Sequence, residues 1–185
     1  PKDSASFAFM IVVSIHQANS RPDEALAELK DAEAKGISTP LFHYQLGSIL
    51  ADLKMHPEAL DEFQNYTAKF GFDSDIYELI ADSQLALEEF EQARQSALAG
   101  LKDNPAALGC LITLVAATPA AKIVDSEFTQ KFSATSDSEG SYEGALDYLL
   151  NVEDSERAKA LLILLKKSHP GSDLIEYYDE ELGIK

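Results

Sequence analysis

Four histidines, one cysteine and 32 acidic residues are the groups in this 185-residue chain that could ligate a metal, attack a substrate or move a proton. Their spacing does not assemble them. His16, His43, His56 and His169 are scattered along the chain, whereas a metal site needs three or four converging ligands. His56 and His169 each precede a proline, which reads as a boundary position with a structural or solvent-facing ring. Cys110 lies in the apolar run Ala106 to Ala117 with no adjacent basic group to hold a thiolate, so it reads as buried filler. Carboxylate pairs such as Glu88-Glu89 and Glu180-Glu181 follow from the acidic composition and read as solvated face. No HExxH, phosphate-cradling glycine loop, CxxC or GxSxG occurs. Asn65-Tyr66-Thr67 has the form of a glycosylation sequon but falls inside a helical stretch. The expectation is a protein with no catalytic residues, no cofactor and no metal, with an enzymatic site near the 130–142 loop as the outlying alternative.

The bulk composition bounds the partners. The formal charge is −17, which repels phosphate backbones and anionic lipid, so nucleic acid and membrane surfaces are disfavoured. An apolar content of 45% suits a folded globule, and 185 residues can bury one sizeable core. The longest apolar run, Phe7 to Val13, is far below the ~18 residues that span a bilayer. The chain opens with Pro1, which reads as a fragment or a processed form. The compartment stays open: the cytoplasm is the default, and the periplasm the alternative if an upstream signal was removed.

The elements that would position any site are helices. Leu41 to Phe72 reads as two of about 14 residues, because Leu46, Ile49, Leu50 and Leu53 recur at helical spacing, His56-Pro57 interrupts, and Glu58-Ala59-Leu60 restarts the pattern. Ser6 to Ala18 and Asp23 to Lys35 form an earlier pair, the second ended by Gly36. A third pair starts at Ser74, read as an N-cap, and breaks near Leu87 to Phe90 without Pro or Gly. Pro105 to Ala117 pairs with Ala120 to Phe132, whose stripe Ile123, Val124, Phe128 and Phe132 should be buried. Ser133 to Gly140 reads as a loop. Tyr142 to Val152 and Ser155 to Ser168 form the last pair, and Asp173 to Leu182 a short acidic helix with Leu174, Ile175, Tyr178 and Leu182 inward.

A 34-residue step links these pairs. Ala25, Ala59 and Ala93 are in phase, each followed four residues later by Leu29, Phe63 or Ala97 and preceded by twelve by Val13, Gly47 or Ala81. Pro105 follows Ala93 by twelve, as Pro170 follows Ala158, and one degenerate unit lies between. With Leu46-Gly47, Ala59 and Phe63 in one unit and Tyr77, Ala81, Ala93 and Pro105 in the next, the chain resembles the tetratricopeptide-repeat (TPR) family. The resemblance covers roughly Ser6 to Asn104 and Ser141 to Pro170. It implies an all-α, right-handed superhelix of antiparallel helix pairs, an α-solenoid. Units fall at about 6–39, 40–73, 74–105, 106–138 and 139–170, with a cap at 173–182, all in one domain spanning 1–185.

The family lines a concave groove with its first helices. Carried over by position, the groove residues are Phe7, Met10 and Ser14; Leu41, Tyr44 and Ser48; Asp75, Glu78 and Asp82; and Glu143 and Asp147. The family's basic clamp for a terminal carboxylate is missing, so the acidic tails of heat-shock chaperones should not bind. The resemblance implies a protein-interaction module for a partner peptide or helix, with an apolar segment followed by Lys or Arg as the complementary ligand. The alternative is self-assembly into a homo-oligomer, or docking within a larger multidomain protein.

Overall fold

The computed structural model describes residues 11–36, 41–135 and 139–184, and these contain helices and turns with no strand. They fall into two compact units, one ending at Phe72 and the other beginning at Asp73.

The first unit holds α1, described over residues 11–18, then α2 (Pro22–Ala34), α3 (Phe42–Asp52) and α4 (His56–Phe70). Pro22 and Pro57 occupy first turns, where the missing N–H costs no hydrogen bond. Val13, Ala25, Leu29, Phe42 and Ile49 form one buried cluster. The α3–α4 pair closes on Phe63, which is fully buried. Gly47 makes that closeness possible: a Cβ there would stand 2.5 Å from the Phe63 ring.

The second unit holds α5 (Ser74–Ala86), α6 (Phe90–Asp103), α7 (Leu108–Ala116), α8 (Ala120–Ile123), α9 (Ser126–Thr135), α10 (Glu139–Asn151), α11 (Ser155–Ser168) and α12 (Leu174–Glu181). Helix α6 packs on α5 and α7, α10 packs on α7 and α11, and α11 also meets α8 and α12. Leu111, Phe132, Tyr142, Leu146 and Leu161 sit in a single apolar core that continues to Tyr178 of α12. Tyr178 and Leu182 are buried and Leu174 and Ile175 pack against the same core, so α12 covers the end of the stack as expected.

The repeat is written in the turns as well as the cores. Ser20, Lys54 and Glu88, spaced by 34, are all left-handed, with φ of 54°, 63° and 60°, and Glu153 repeats the turn at 59°. Each turn carries the same Schellman bond pattern: Arg21 N to His16 O (2.9 Å), Met55 N to Leu50 O (2.8 Å), Glu89 N to Gln84 O (2.9 Å) and Asp154 N to Leu149 O (2.8 Å). Ala25, Ala59, Ala93 and Ala158 each follow such a turn and are fully buried. A larger side chain there would push the paired helices apart.

Several sequence expectations need correction. The cap of α5 is Asp73, not Ser74: its carboxylate accepts from Ile76 N at 3.0 Å, while the Ser74 amide donates to Asp103 at 3.0 Å. Helix α7 starts at Leu108 rather than Pro105, because Asn104 holds the Ala106 amide (3.1 Å) in a turn. The single helix expected from Ala120 to Phe132 is two, α8 and α9, broken at Val124-Asp125. Val124 consequently faces solvent at 45% exposure, while Ile123, Phe128 and Phe132 are buried. The loop expected over Ser133 to Gly140 is shorter, since α9 runs to Thr135 and α10 starts at Glu139. An acid in a first turn is favoured by the helix dipole, which suits that early start.

Candidate partner-binding face

The first helices of the second unit, α5, α7 and α10, are neighbours, with α7 touching both others. Small residues set their spacing. A Cβ on Gly144 would stand 2.8 Å from the Leu108 side chain, and one on Gly109 would stand 2.0 Å from the Glu78 carboxyl carbon. None of these helices carries a Lys or Arg, and neither does α3 nor the described part of α1. Every basic residue between positions 73 and 184 lies on a second helix: Arg94, Lys102, Lys122, Lys131, Arg157, Lys159, Lys166 and Lys167. The charge is segregated by helix role, so the acids on α5 and α10 meet no lysine or arginine along their own elements.

The structure places the expected groove residues as follows. Phe7 and Met10 lie outside the described residues. Ser14 is exposed on α1 and Leu41 is exposed just before α3. Tyr44 is half-buried with its ring edge-on to Tyr66 at 5.5 Å, and Ser48 donates back to Tyr44 O at 3.0 Å. Asp75, Asp82, Glu143 and Asp147 are exposed and Glu78 is half-buried. The second unit thus brings Asp75, Glu78 and Asp82 together on α5, and Glu143 and Asp147 together on α10.

Three of these acids are bonded to the element next along the stack. Glu78 accepts from the Gly109 amide. Asp82 accepts from the Thr113 hydroxyl. Asp147 accepts from the Tyr178 hydroxyl at 2.6 Å, which also reaches Glu143 O at 3.2 Å. Each partner lies 31 residues ahead, three short of a repeat, which is one helical turn back on the following unit. The cap α12 takes the place a further first helix would fill and satisfies Asp147 in the same manner. Thr113 was not singled out from sequence, and Tyr178 was read only as an inward residue of the cap; the offset of 31 could have located both as partners of the acids.

Electrostatics follow from this crowding. Burial, then Asp82 and Asp75, push the Glu78 carboxyl above its ordinary value, and the Gly109 amide opposes them. Burial and then the same three acids push the Cys110 thiol up to about 12. Burial, then the Asp147 bond, raises the Tyr178 hydroxyl, and burial, then Asp82 and Asp154, raises that of Tyr148. The acidic surface favours whatever adds positive charge.

The histidines take local partners. His43 pairs with Glu62 at 2.7 Å and with Lys69 at 3.2 Å. His169 stands 2.9 Å from the Ser168 hydroxyl and edge-on to Tyr142.

The chain matches solved structures across nearly its whole length. A thermophilic TPR protein of Thermus thermophilus matches at 16% identity over 97% of this chain and 100% of that one, with a TM-score of 0.60. The fold is that of a TPR protein. MamA of Desulfovibrio magneticus matches the same TPR-like chain at 17% identity over 93% and 95%, with a TM-score of 0.62. YrrB, described as a TPR protein with an unusual peptide-binding site, matches at 15% identity over 93% and 90%, with a TM-score of 0.55. No protein-family model and no curated protein matches this chain.

Proposed function

We propose that the chain is a non-catalytic protein-interaction module whose first-helix face in the second unit holds a partner peptide or helix with an apolar stretch followed by Lys or Arg. The observation that carries this reading is the segregation of charge: α5 and α10 supply Asp75, Asp82, Glu143 and Asp147 to solvent, and no Lys or Arg lies on α5, α7 or α10. Between them α7 contributes Leu108, which is 44% exposed, and Ile112. A ligand cation is thus met by acids and its apolar portion by α7. The bonds from Thr113 and Tyr178 hold two of the acids in place while leaving them accessible. The TPR fold, and the peptide-binding site named for YrrB, support a peptide ligand.

Fluorescence anisotropy with labelled peptides tests this. A Leu-Leu-Lys-Arg-type peptide should bind the full chain at low salt and weaken steeply between 50 and 300 mM salt, whereas its Glu-Glu counterpart should not bind. Equal binding of both, or of neither, counts against the proposal.

A second reading, self-association, is favoured by α1, where Ile11, Val12 and Ile15 are 38–49% exposed. Such a cluster on the described part of α1 suits contact with another copy. Light scattering that shows a strict monomer at millimolar concentration would eliminate it.

A further inference from the structure

A cavity lies at the broken helix of the fourth repeat, between α6, the end of α7 and the α8–α9 break. Its volume is about 250 Å³, and Leu98, Leu114, Pro119 and Phe128 supply its apolar lining. The regular units have a continuous second helix, such as α6 with 14 residues; here α8 has four and α9 starts afresh at Ser126. The wall is fixed before any ligand arrives. Arg94 donates to Ala117 O at 2.8 Å, Arg157 donates to Thr118 O at 2.7 Å, and the Thr118 hydroxyl donates to Leu114 O at 2.6 Å. Phe128 is held from behind by stacking on Phe132 at 5.6 Å.

The rim carries charges of both signs, Glu91, Arg94, Lys122 and Asp125. Glu91 is already satisfied by Arg94 and by Gln95 (3.1 Å), and these two, with the Lys122 charge, draw its carboxyl below the usual range. Lys122 is exposed and makes no ion pair among the described residues, and Asp125 beside it is likewise exposed. Among the described residues, Lys122 thus stands without an ion-pair partner at the mouth of a cavity that is apolar on one side and polar on the other, in a chain of net charge −17. The volume lies below the ~300–1,000 Å³ of sites that enclose drug-sized ligands, so what fits is one large side chain and the main chain that carries it.

We propose that this cavity is a second docking site that takes one leucine- or phenylalanine-sized side chain of a partner segment whose next residue is acidic. The apolar side chain lies on Leu98, Leu114 and Phe128. The following carboxylate pairs with Lys122, and the segment's main-chain N–H donates to Asp125. Its charge preference is opposite to that of the first-helix face, so one partner segment would not suit both.

The test uses the full chain labelled with nitrogen-15 and the capped dipeptide acetyl-Leu-Glu-amide as probe, with acetyl-Leu-Lys-amide and acetyl-Gly-Glu-amide as controls. Acetyl-Leu-Glu-amide should shift the amides of Gln95, Leu98, Thr118 and Lys122 at millimolar concentration, with each control at least fivefold weaker. Lys122→Glu, an exposed change that leaves the core intact, should invert the order of the two leucine probes. No shift at these amides, equal shifts from all three probes, or an order unchanged by Lys122→Glu would overturn the proposal. None of these outcomes bears on the first-helix face, which the basic peptides report separately.

Discussion

Glu78 is the residue at which the competing demands on this protein meet. Its carboxylate is half-buried over Gly109 and close to Asp75 and Asp82, so its proton is held more tightly than in a free chain. A carboxyl whose folded value is raised contributes stability that is complete below the unfolded value, about 4.3, and is lost as pH rises through the folded value. At neutral pH the charged side chain is thus a net cost. Glu78→Gln keeps an acceptor for the Gly109 amide and removes the charge, so it should stabilise the fold at pH 7. Water still screens this site, which holds the gain to about 1 kcal/mol or less. Urea midpoints of the two proteins should separate at pH 7 and converge near pH 4; a variant less stable at pH 7 would contradict the assignment. Cys110 sits behind the same acids, fully buried and with its thiol pushed up to about 12. Native protein should therefore resist iodoacetamide at pH 8 and react only after unfolding.

Helix pairs are where the sequence pattern and the physics agree most closely. The alanines at 25, 59, 93 and 158 are readable because a helix crossing of short separation tolerates only a small side chain, and all four are fully buried. Gly47 serves the same crossing from the opposite helix. Gly47→Ala would gain up to ~1 kcal/mol of helix propensity but drive a methyl into the immobile Phe63 ring, an overpacking cost of ~1–3 kcal/mol. Net destabilisation is expected, read as a lower melting temperature.

Turns were harder to read. Ser20, Lys54, Glu88 and Glu153 all adopt left-handed φ without being glycine, so the break after Leu87 carried no residue signal and only the 34-residue phase located it. Glu88→Gly should relieve that conformation and stabilise by about 0.5–1 kcal/mol, measured by chemical denaturation. The break at Val124-Asp125 was not legible at all. Val124 continues the apolar period, and nothing in residue type announces that α8 turns onto α11 instead. Likewise the five groove acids of α5 and α10 were found by position alone, but that Glu78, Asp82 and Asp147 bond one turn back on the following element depends on packing between successive helices.

For the molecule as a whole, a charge of −17 would ordinarily be read as a solvated, partner-averse surface. The distribution of that charge is more informative than its sum. Lysines and arginines are confined to second helices, turns and ends, leaving the first-helix faces acidic and apolar. Such a protein should attract basic partners over a Debye length of ~10 Å at 0.1 M salt and release them as salt rises. The most direct measurement is a charge swap at one exposed position of that face, Glu143→Lys, with Leu-Leu-Lys-Arg and Leu-Leu-Glu-Glu peptides titrated against both proteins. Glu143→Lys should lose affinity for the basic peptide at least fivefold and gain it for the acidic one, with unchanged melting temperature. Unaltered affinity for the basic peptide in Glu143→Lys would place the partner elsewhere and contradict the account.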